Sequence, residues 1–186
     1  SKEQTAVVLG LGGIGLSALM AFIALGVKSI IAVDISDEKL SLAKQLGATH
    51  VLNSISSGFT KTVNDLTNGG ADICVESGGQ VSTIELGFSL IRKGGGRLLF
   101  ASHPPEGEMI KLAPHELISG KQIAGSWGGA TEPDKDIPKM NELFHNSNIP
   151  LESLLTKRSS LEQINEALDD LESGKVFRPL IVMEHE

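Results

Sequence analysis

Tyrosine is absent from this sequence of 186 residues, and cysteine and tryptophan each occur once. Without tyrosine the chain has no Tyr-x-x-x-Lys acid/base pair. The single cysteine, Cys74, excludes an internal disulfide framework and favours a reducing, cytoplasmic environment. The sequence also lacks a G-x-S-x-G nucleophile elbow and a G-x-x-x-x-G-K-[ST] phosphate loop. Its longest apolar run, residues 14–27, is too short to cross a membrane and is interrupted by Gly15 and Gly26.

Positive charge is in deficit, and the formal net charge is −7. This balance argues against nucleic acid or an anionic membrane as the main partner. The five histidines show no ligand-pair spacing, so no metal site is expected. Asp72 and Glu76 flank a predicted strand, and we interpret them as solvated charges at the strand ends.

Glycine, in contrast, is abundant, and the most informative glycines are Gly10, Gly12 and Gly15. They form a G-x-G-x-x-G motif between an apolar strand, Thr5–Leu9, and an apolar helix predicted over residues 13–25. The first glycine permits the sharp turn, the second lets a pyrophosphate approach the backbone, and the third allows close packing of helix on sheet. The helix N-terminus then faces the phosphates with its positive dipole end.

Asp34 makes this motif specific. It ends the second apolar strand, Ser29–Asp34, 19 residues after Gly15. A carboxylate there can accept both ribose hydroxyls of the adenosine half and would repel a 2′-phosphate, so the pattern favours NAD over NADP. The alternative is a glycine-rich turn in an ordinary α/β protein, with Asp34 capping the next helix.

Strands and helices alternate through the first two thirds of the chain. This pattern predicts an α/β fold, a doubly wound six-stranded parallel sheet of the Rossmann type. The predicted strands are Thr5–Leu9, Ser29–Asp34, 50–52, 71–75, Arg97–Phe100 and 121–126. The predicted helices between them are 13–25, Asp37–Leu46, 59–67, Val81–Leu90 and Pro114–Ile118.

The alternation stops after Gly128-Gly129. We therefore assign residues 1–127 to a dinucleotide-binding domain and residues 128–186 to a C-terminal return segment. This tail contains helical patterns at 136–144 and 161–171 and a terminal strand at 180–183. It either belongs to a second domain or caps the first.

Taken together, these residues resemble the coenzyme half of the medium-chain, zinc-dependent alcohol dehydrogenases. The motifs that carry the resemblance are the run from Gly10 to Ser17, Val33-Asp34-Ile35 with Lys39, Leu46-Gly47-Ala48-Thr49, Asn68-Gly69-Gly70-Ala71-Asp72, Ser119-Gly120-Lys121, Ile164-Asn165-Glu166-Ala167, Ser173-Gly174-Lys175 and Arg178.

The resemblance implies roles for individual residues in binding NAD. Asp34 would hold the adenosine ribose with Lys39 beside it, and Arg178 would reach back from the tail to the phosphates. The backbone of the glycine turn would meet the pyrophosphate, and two further segments would meet the nicotinamide carboxamide. The turn residues are Gly10, Gly12, Gly13, Ile14 and Gly15, and the carboxamide segments are Ala101, Ser102 and His103 with Ser126 and Trp127.

The resemblance also implies an enzyme that moves hydride between a primary or secondary alcohol and NAD, with a zinc ion polarising the alcohol oxygen. In that family a Cys-His-Cys ligand set lies on a domain before the coenzyme half. Cys74 alone, in a predicted buried strand, cannot build such a site. We therefore expect a fragment that contains no catalytic residue, binds NADH and turns nothing over.

Two alternatives stay open: a stand-alone dinucleotide-binding module without catalysis, and a zinc-free quinone or enoyl reductase of the same superfamily. Those reductases mostly use NADPH, which Asp34 disfavours. In dimeric relatives the strand matching residues 121–126 pairs with its twofold mate, so the resemblance implies a homodimer through this strand.

Overall fold

The computed structural model describes residues 3–147 and 149–183. Its strands and helices alternate as the sequence predicts. The strands up to residue 127 are β1 (Thr5–Leu9), β2 (Ser29–Asp34), β3 (His50–Asn53), β4 (Ile73–Glu76), β5 (Arg97–Phe100) and β6 (Gln122–Gly125). The helices in the same range are α1 (Gly13–Ala24), α2 (Asp37–Leu46), α3 (Phe59–Leu66), α4 (Val81–Leu90) and α5 (Pro114–Ile118).

The six strands form one parallel sheet in the order β3-β2-β1-β4-β5-β6. The predicted doubly wound sheet is therefore confirmed. The order reverses between β1 and β4, which leaves a crevice at the carboxyl ends of these two strands.

The fourth strand begins later than predicted. Ala71 forms only an isolated bridge with Ile91, because its N–H donates to the carbonyl of Leu90 and its carbonyl accepts from Arg92. The regular ladder of β4 starts at Ile73. The backbone before it is therefore bonded to the segment that follows α4.

Two apolar layers cover the sheet, and the alternation of side chains along β1 separates them. Val7 packs with Phe59 and Ile84 beneath α3 and α4, whereas Val8 packs with Leu16 and Leu19 beneath α1. A strand buried on both faces requires the continuous apolar run that the sequence shows here.

The tail adds two helices, α6 (Pro133–Asn146) and α7 (Ile164–Glu172), and two short parallel strands, β7 (Lys157–Ser160) and β8 (Pro179–Val182). The sequence analysis missed β7 because its residues are polar. Phe144 and Leu154 join the apolar cluster on α1. The tail thus packs directly on the first helix of the sheet domain, while its division from residues 1–127 as a separate domain stays a prediction.

Within the two ranges that the structure describes, no helix combines the length and the apolar character needed to cross a membrane.

Asp72 precedes β4 at the amino end of the sheet. Its carboxylate accepts the Thr5 N–H at 2.7 Å and the Arg92 Nε–H at 2.7 Å. Burial alone would raise the pKa of Asp72, but these donors outweigh it and lower the pKa below its usual value. The charged form of Asp72 therefore stabilises the fold above the usual carboxyl pKa, and this stabilisation is lost as the pH falls through the lowered pKa.

We expect Asp72→Asn to reduce the free energy of unfolding at pH 7 by about 1–2 kcal/mol, because bonds to a charged acceptor are replaced by weaker ones. The loss should shrink towards pH 3, which lies below the usual pKa of an aspartate, because the carboxyl of the unfolded chain is then mostly protonated. Urea unfolding at both pH values measures this difference. Asp65→Asn is the matched control, since its pair with Lys61 is exposed and contributes little. If Asp72→Asn lost the same free energy of unfolding at pH 7 and at pH 3, the charged form of Asp72 would not be what stabilises the fold.

Candidate functional site

The turn between β1 and α1 opens the candidate site. Gly10 has a φ of +91°, and its N–H donates to the carbonyl of Val33 at 2.8 Å. A Cβ on Gly10 would lie 2.9 Å from the backbone nitrogen of Gly78. Position 10 therefore requires glycine both for its backbone conformation and for its contact with the turn after β4.

Asp34 closes the opposite wall of this turn. Asp34 is only 9% exposed. Its Oδ2 accepts the N–H of Leu11 at 2.7 Å, and its Oδ1 accepts the N–H of Ser36 at 3.0 Å. A carboxylate has about four acceptor positions. Two backbone donors therefore fix its orientation and leave capacity for hydroxyl groups of a ligand.

Between these walls lies a cleft of about 300 Å³. Four of the predicted cofactor-binding residues, Gly10, Gly12, Asp34 and Lys39, line it together. A Cβ added at Gly12 would meet nothing within 4 Å, so the backbone there faces open space. This open glycine beside a carboxylate fits the phosphate and ribose of a dinucleotide.

The other two glycines of the turn have different neighbours. A Cβ at Gly15 would lie 1.8 Å from the carbonyl oxygen of Gly10, so the turn itself excludes a side chain there. A Cβ at Gly13 would lie 3.3 Å from Nε of Arg178 and 3.3 Å from the carbonyl oxygen of Phe177. The tail thus meets the N-terminus of α1 at Gly13.

Arg178 is therefore brought to the glycine turn across most of the sequence. Together with Gly13 and Ile14 it borders a groove of about 620 Å³ between α1 and the tail. Its residue is exposed, and its guanidinium lies near the positive end of α1. The guanidinium and the N-terminus of α1 would both attract a phosphate. Its contact with the cofactor stays a prediction.

Phe177 is a residue of the site that the sequence analysis missed. Its ring centroid lies 5.9 Å from Nζ of Lys39, within the range of a cation–π contact. Lys39 thus bridges α2 and the tail at the edge of the Asp34 cleft. No local sequence signal marks Phe177, because its partner lies on a distant helix.

The predicted carboxamide segments follow β5 and β6. Ser126 donates its N–H to the carbonyl of Phe100, and Ala101 donates to the carbonyl of Glu76, both at 2.9 Å. The rings of His103 and Trp127 meet edge to face with centroids 4.5 Å apart. The structure therefore brings both segments together at the carboxyl edge of the sheet, although neither lines the Asp34 cleft.

The interpretation of Glu76 as a solvated charge is wrong, because the residue is 0% exposed. Its Oε1 accepts the N–H of Gly78 at 2.6 Å and the hydroxyl of Thr83 at 2.6 Å, and its Oε2 accepts the hydroxyl of Ser102. Asp72 is also bonded rather than solvated, through the contacts described above. Donors from the turn after β4, from the first turn of α4 and from the loop after β5 replace water at Glu76.

Neither the cysteine nor the other candidate ligands form a metal site in the described part of the chain. Residues 3–147 and 149–183 contain no group of three or more histidine, cysteine, aspartate or glutamate side chains able to hold a metal ion. Burial, followed by the charge of Glu76, raises the pKa of the Cys74 thiol far above its usual range, which disfavours a thiolate ligand. His185 lies outside the described residues.

Residues 13–146 match the zinc-binding dehydrogenase family. The chain belongs to this family. The zinc-binding dehydrogenase chain is similar to alcohol dehydrogenase class-2 isozyme 2 of Oryctolagus cuniculus, with 34% identity over 181 residues that cover 96% of this chain and 48% of that protein.

Two solved structures also resemble this zinc-binding dehydrogenase chain closely. The alcohol dehydrogenase zinc-binding domain protein from Burkholderia ambifaria superposes with a TM-score of 0.92 at 31% identity, covering 98% of this chain and 49% of that one. Benzyl alcohol dehydrogenase from Acinetobacter calcoaceticus gives a TM-score of 0.91 at 32% identity, covering 97% and 50%. The chain thus spans about half the length of these relatives.

Substitutions at two of the glycines should separate folding from the cleft. Gly15→Ala should lower the free energy of unfolding by about 3 kcal/mol or more, because its Cβ collides with the Gly10 carbonyl. Gly12→Ala is the matched control and should cost about 1 kcal/mol or less, since its Cβ meets open space. Thermal and urea unfolding of both variants measures the difference. Similar stabilities for the two variants would show that the turn does not exclude a side chain at position 15.

Proposed function

We propose that this chain is the NAD-binding part of an alcohol dehydrogenase, an oxidoreductase that interconverts a primary or secondary alcohol and its aldehyde or ketone. The observation that carries this proposal is the buried Asp34 carboxylate, fixed by Leu11 at the mouth of an open glycine turn. Membership in the zinc-binding dehydrogenase family and the names of the similar proteins support the same reaction class.

In this proposal the residues of the chain bind and orient the coenzyme. Asp34 accepts the ribose hydroxyls, the N-terminus of α1 and Arg178 hold the phosphates, and the loop after β5 borders the nicotinamide. Bound NAD would supply the acceptor for the hydride that leaves the carbinol carbon. The described residues offer no ligand set that fits zinc, so the contribution of this chain is the coenzyme site.

The same carboxylate leads us to propose NAD as the coenzyme rather than NADP. A 2′-phosphate would stand beside Asp34, and like charges in a partly desolvated cleft repel. Lys39 lines this cleft as a counter-charge, but its ammonium also contacts Phe177. The preference for NAD therefore depends on Asp34.

The proposal is tested by titrating NADH and NADPH into the chain and following the fluorescence of Trp127, its single tryptophan. NADH should bind at least about tenfold more tightly than NADPH. Asp34→Asn, which keeps an acceptor for Leu11 but removes the charge, should narrow this ratio. Arg178→Gln should weaken both ligands about five- to twentyfold without changing their ratio. Arg158→Gln, an exposed arginine of the same tail, is the control and should change neither.

Tighter binding of NADPH would favour the alternative of a quinone or enoyl reductase. Failure of the wild-type chain to bind either dinucleotide would overturn the coenzyme site itself. The second alternative, a dinucleotide-binding module without catalysis, would be supported if the protein in its native length binds NADH but oxidises no alcohol with zinc supplied. We also infer a cytoplasmic location, which the free and buried Cys74 supports.

We further propose a homodimer that pairs through β6. In the described part of the chain this strand bonds β5 on one side and no strand on the other. Gln122 and Ser126 donate their N–H groups towards β5, so the peptide groups of Ile123 and Gly125 point to the open edge. A second copy could pair there around a twofold axis.

Sedimentation velocity over a range of concentrations tests this association. We expect a species of about twice the 19.6 kDa chain mass, with dissociation on dilution. A single species of chain mass at every concentration would contradict the dimer and leave the coenzyme site unaffected.

A further inference from the structure

Glu76 is a fully buried carboxylate at the carboxyl end of β4. All the hydrogen bonds of its side chain come from donors in loops or in the first turn of a helix. Its Oε1 accepts from Gly78 at 2.6 Å, from Gly79 at 3.3 Å and from the Thr83 hydroxyl at 2.6 Å. These donors belong to the turn after β4 and to the first turn of α4. One oxygen of Glu76 therefore holds the turn that contacts Gly10.

The other oxygen of Glu76 accepts from a different loop. Oε2 bonds the hydroxyl of Ser102, which lies two residues after the end of β5. The Ser102 hydroxyl is the donor of this bond, so its single proton points to Glu76. The side chain of Glu76 therefore ties the turn after β4 to the loop after β5.

The loop that Ser102 fastens is the one that carries His103 against Trp127. Two bonds attach this loop to β4. The Ala101 N–H donates to the carbonyl of Glu76, and the Ser102 hydroxyl donates to the Glu76 side chain. Two residues further on, Pro104 and Pro105 have no N–H with which to bond the sheet. The position of the loop therefore depends strongly on the Ser102 hydroxyl.

We propose that Glu76 and Ser102 are positioning residues, which hold the loop 101–105 in the geometry that receives the nicotinamide half of the coenzyme. This inference rests on the proposed function, since it assigns that half of NAD to this loop. It goes beyond that function because the adenosine half, at Asp34 and Gly12, has its own contacts and does not require the tie. Loss of the tie should thus weaken one half of the ligand only.

Ser102→Ala is the sharpest test, because it removes the tie and leaves the other three bonds of Glu76 in place. The probes are NADH and ADP-ribose, which lacks the nicotinamide ring. We expect Ser102→Ala to weaken NADH about three- to tenfold, the value of one hydrogen bond, and to change ADP-ribose less than about twofold. Ser102→Thr keeps the hydroxyl and should restore NADH binding.

Glu76→Gln provides a second, independent variant. Its amide oxygen can keep the donors of Gly78, Gly79 and Thr83, while its NH₂ group faces Ser102 and reverses that bond. We expect Glu76→Gln to reduce the affinity for NADH less than Ser102→Ala does. The double variant should bind NADH no more weakly than Ser102→Ala alone. Ser89→Ala and Asp72→Asn are the controls: one removes an exposed hydroxyl on α4, the other alters a carboxylate at the opposite end of the β4 region.

Hydrogen exchange supplies a readout that does not depend on the ligand. In Ser102→Ala the amide of Ala101, which donates to the carbonyl of Glu76, should exchange faster, and those of β4 should be unchanged. Equal weakening of NADH and ADP-ribose, or no weakening of either, would overturn the positioning role while the coenzyme site stands. Failure of the wild-type chain to bind ADP-ribose and NADH would overturn the proposed function and this inference with it.

Discussion

The hydrogen bond from the Leu11 N–H to the Asp34 carboxylate joins the two strands on which the site is built. It requires a narrow turn after β1, and the absence of a side chain at Gly15 permits such a turn, because a Cβ there would collide with the Gly10 carbonyl. The same turn touches the turn after β4, where Ser77 donates its hydroxyl to Gly10 at 2.9 Å. The carboxyl ends of β1, β2 and β4 therefore form one connected unit rather than three independent loops.

The glycines of this connected unit determine which groups can approach it. Gly12 leaves open space for a ligand, whereas a Cβ at Gly13 would be in tight contact with Phe177 and Arg178, 3.3 Å from an atom of each. Phe177 also lies against Lys39, so the tail contacts both the N-terminus of α1 at Gly13 and a residue that lines the Asp34 cleft. The tail therefore contacts the candidate site as well as the sheet domain, and in the proposed function its cation Arg178 would add a phosphate contact that the sheet domain alone does not supply.

The order of elements and the Asp34 cleft could be predicted because their signals are local. Apolar runs mark strands buried on both faces, and a carboxylate at the end of the second strand lies near the first turn in any parallel sheet of this order. Glu76, Phe177 and β7 could not be predicted in this way. Glu76 depends on donors from α4 and the β5 loop, Phe177 depends on α2, and β7 depends on its pairing with β8.

Glu76 also shows why such residues escape a reading of pattern alone. Burial of a carboxylate is costly unless nearly every acceptor position is bonded, and a partly bonded one would destabilise the fold. Its donors come from two loops that meet only when β4 and β5 pair in the observed register, Glu76 opposite Phe100. A shifted register would bury this carboxylate without the Ser102 donor, although the donors of Gly78, Gly79 and Thr83 would remain. The carboxylate therefore favours one alignment of the strand ends, and that alignment sets the distance between the glycine turn and the loop after β5.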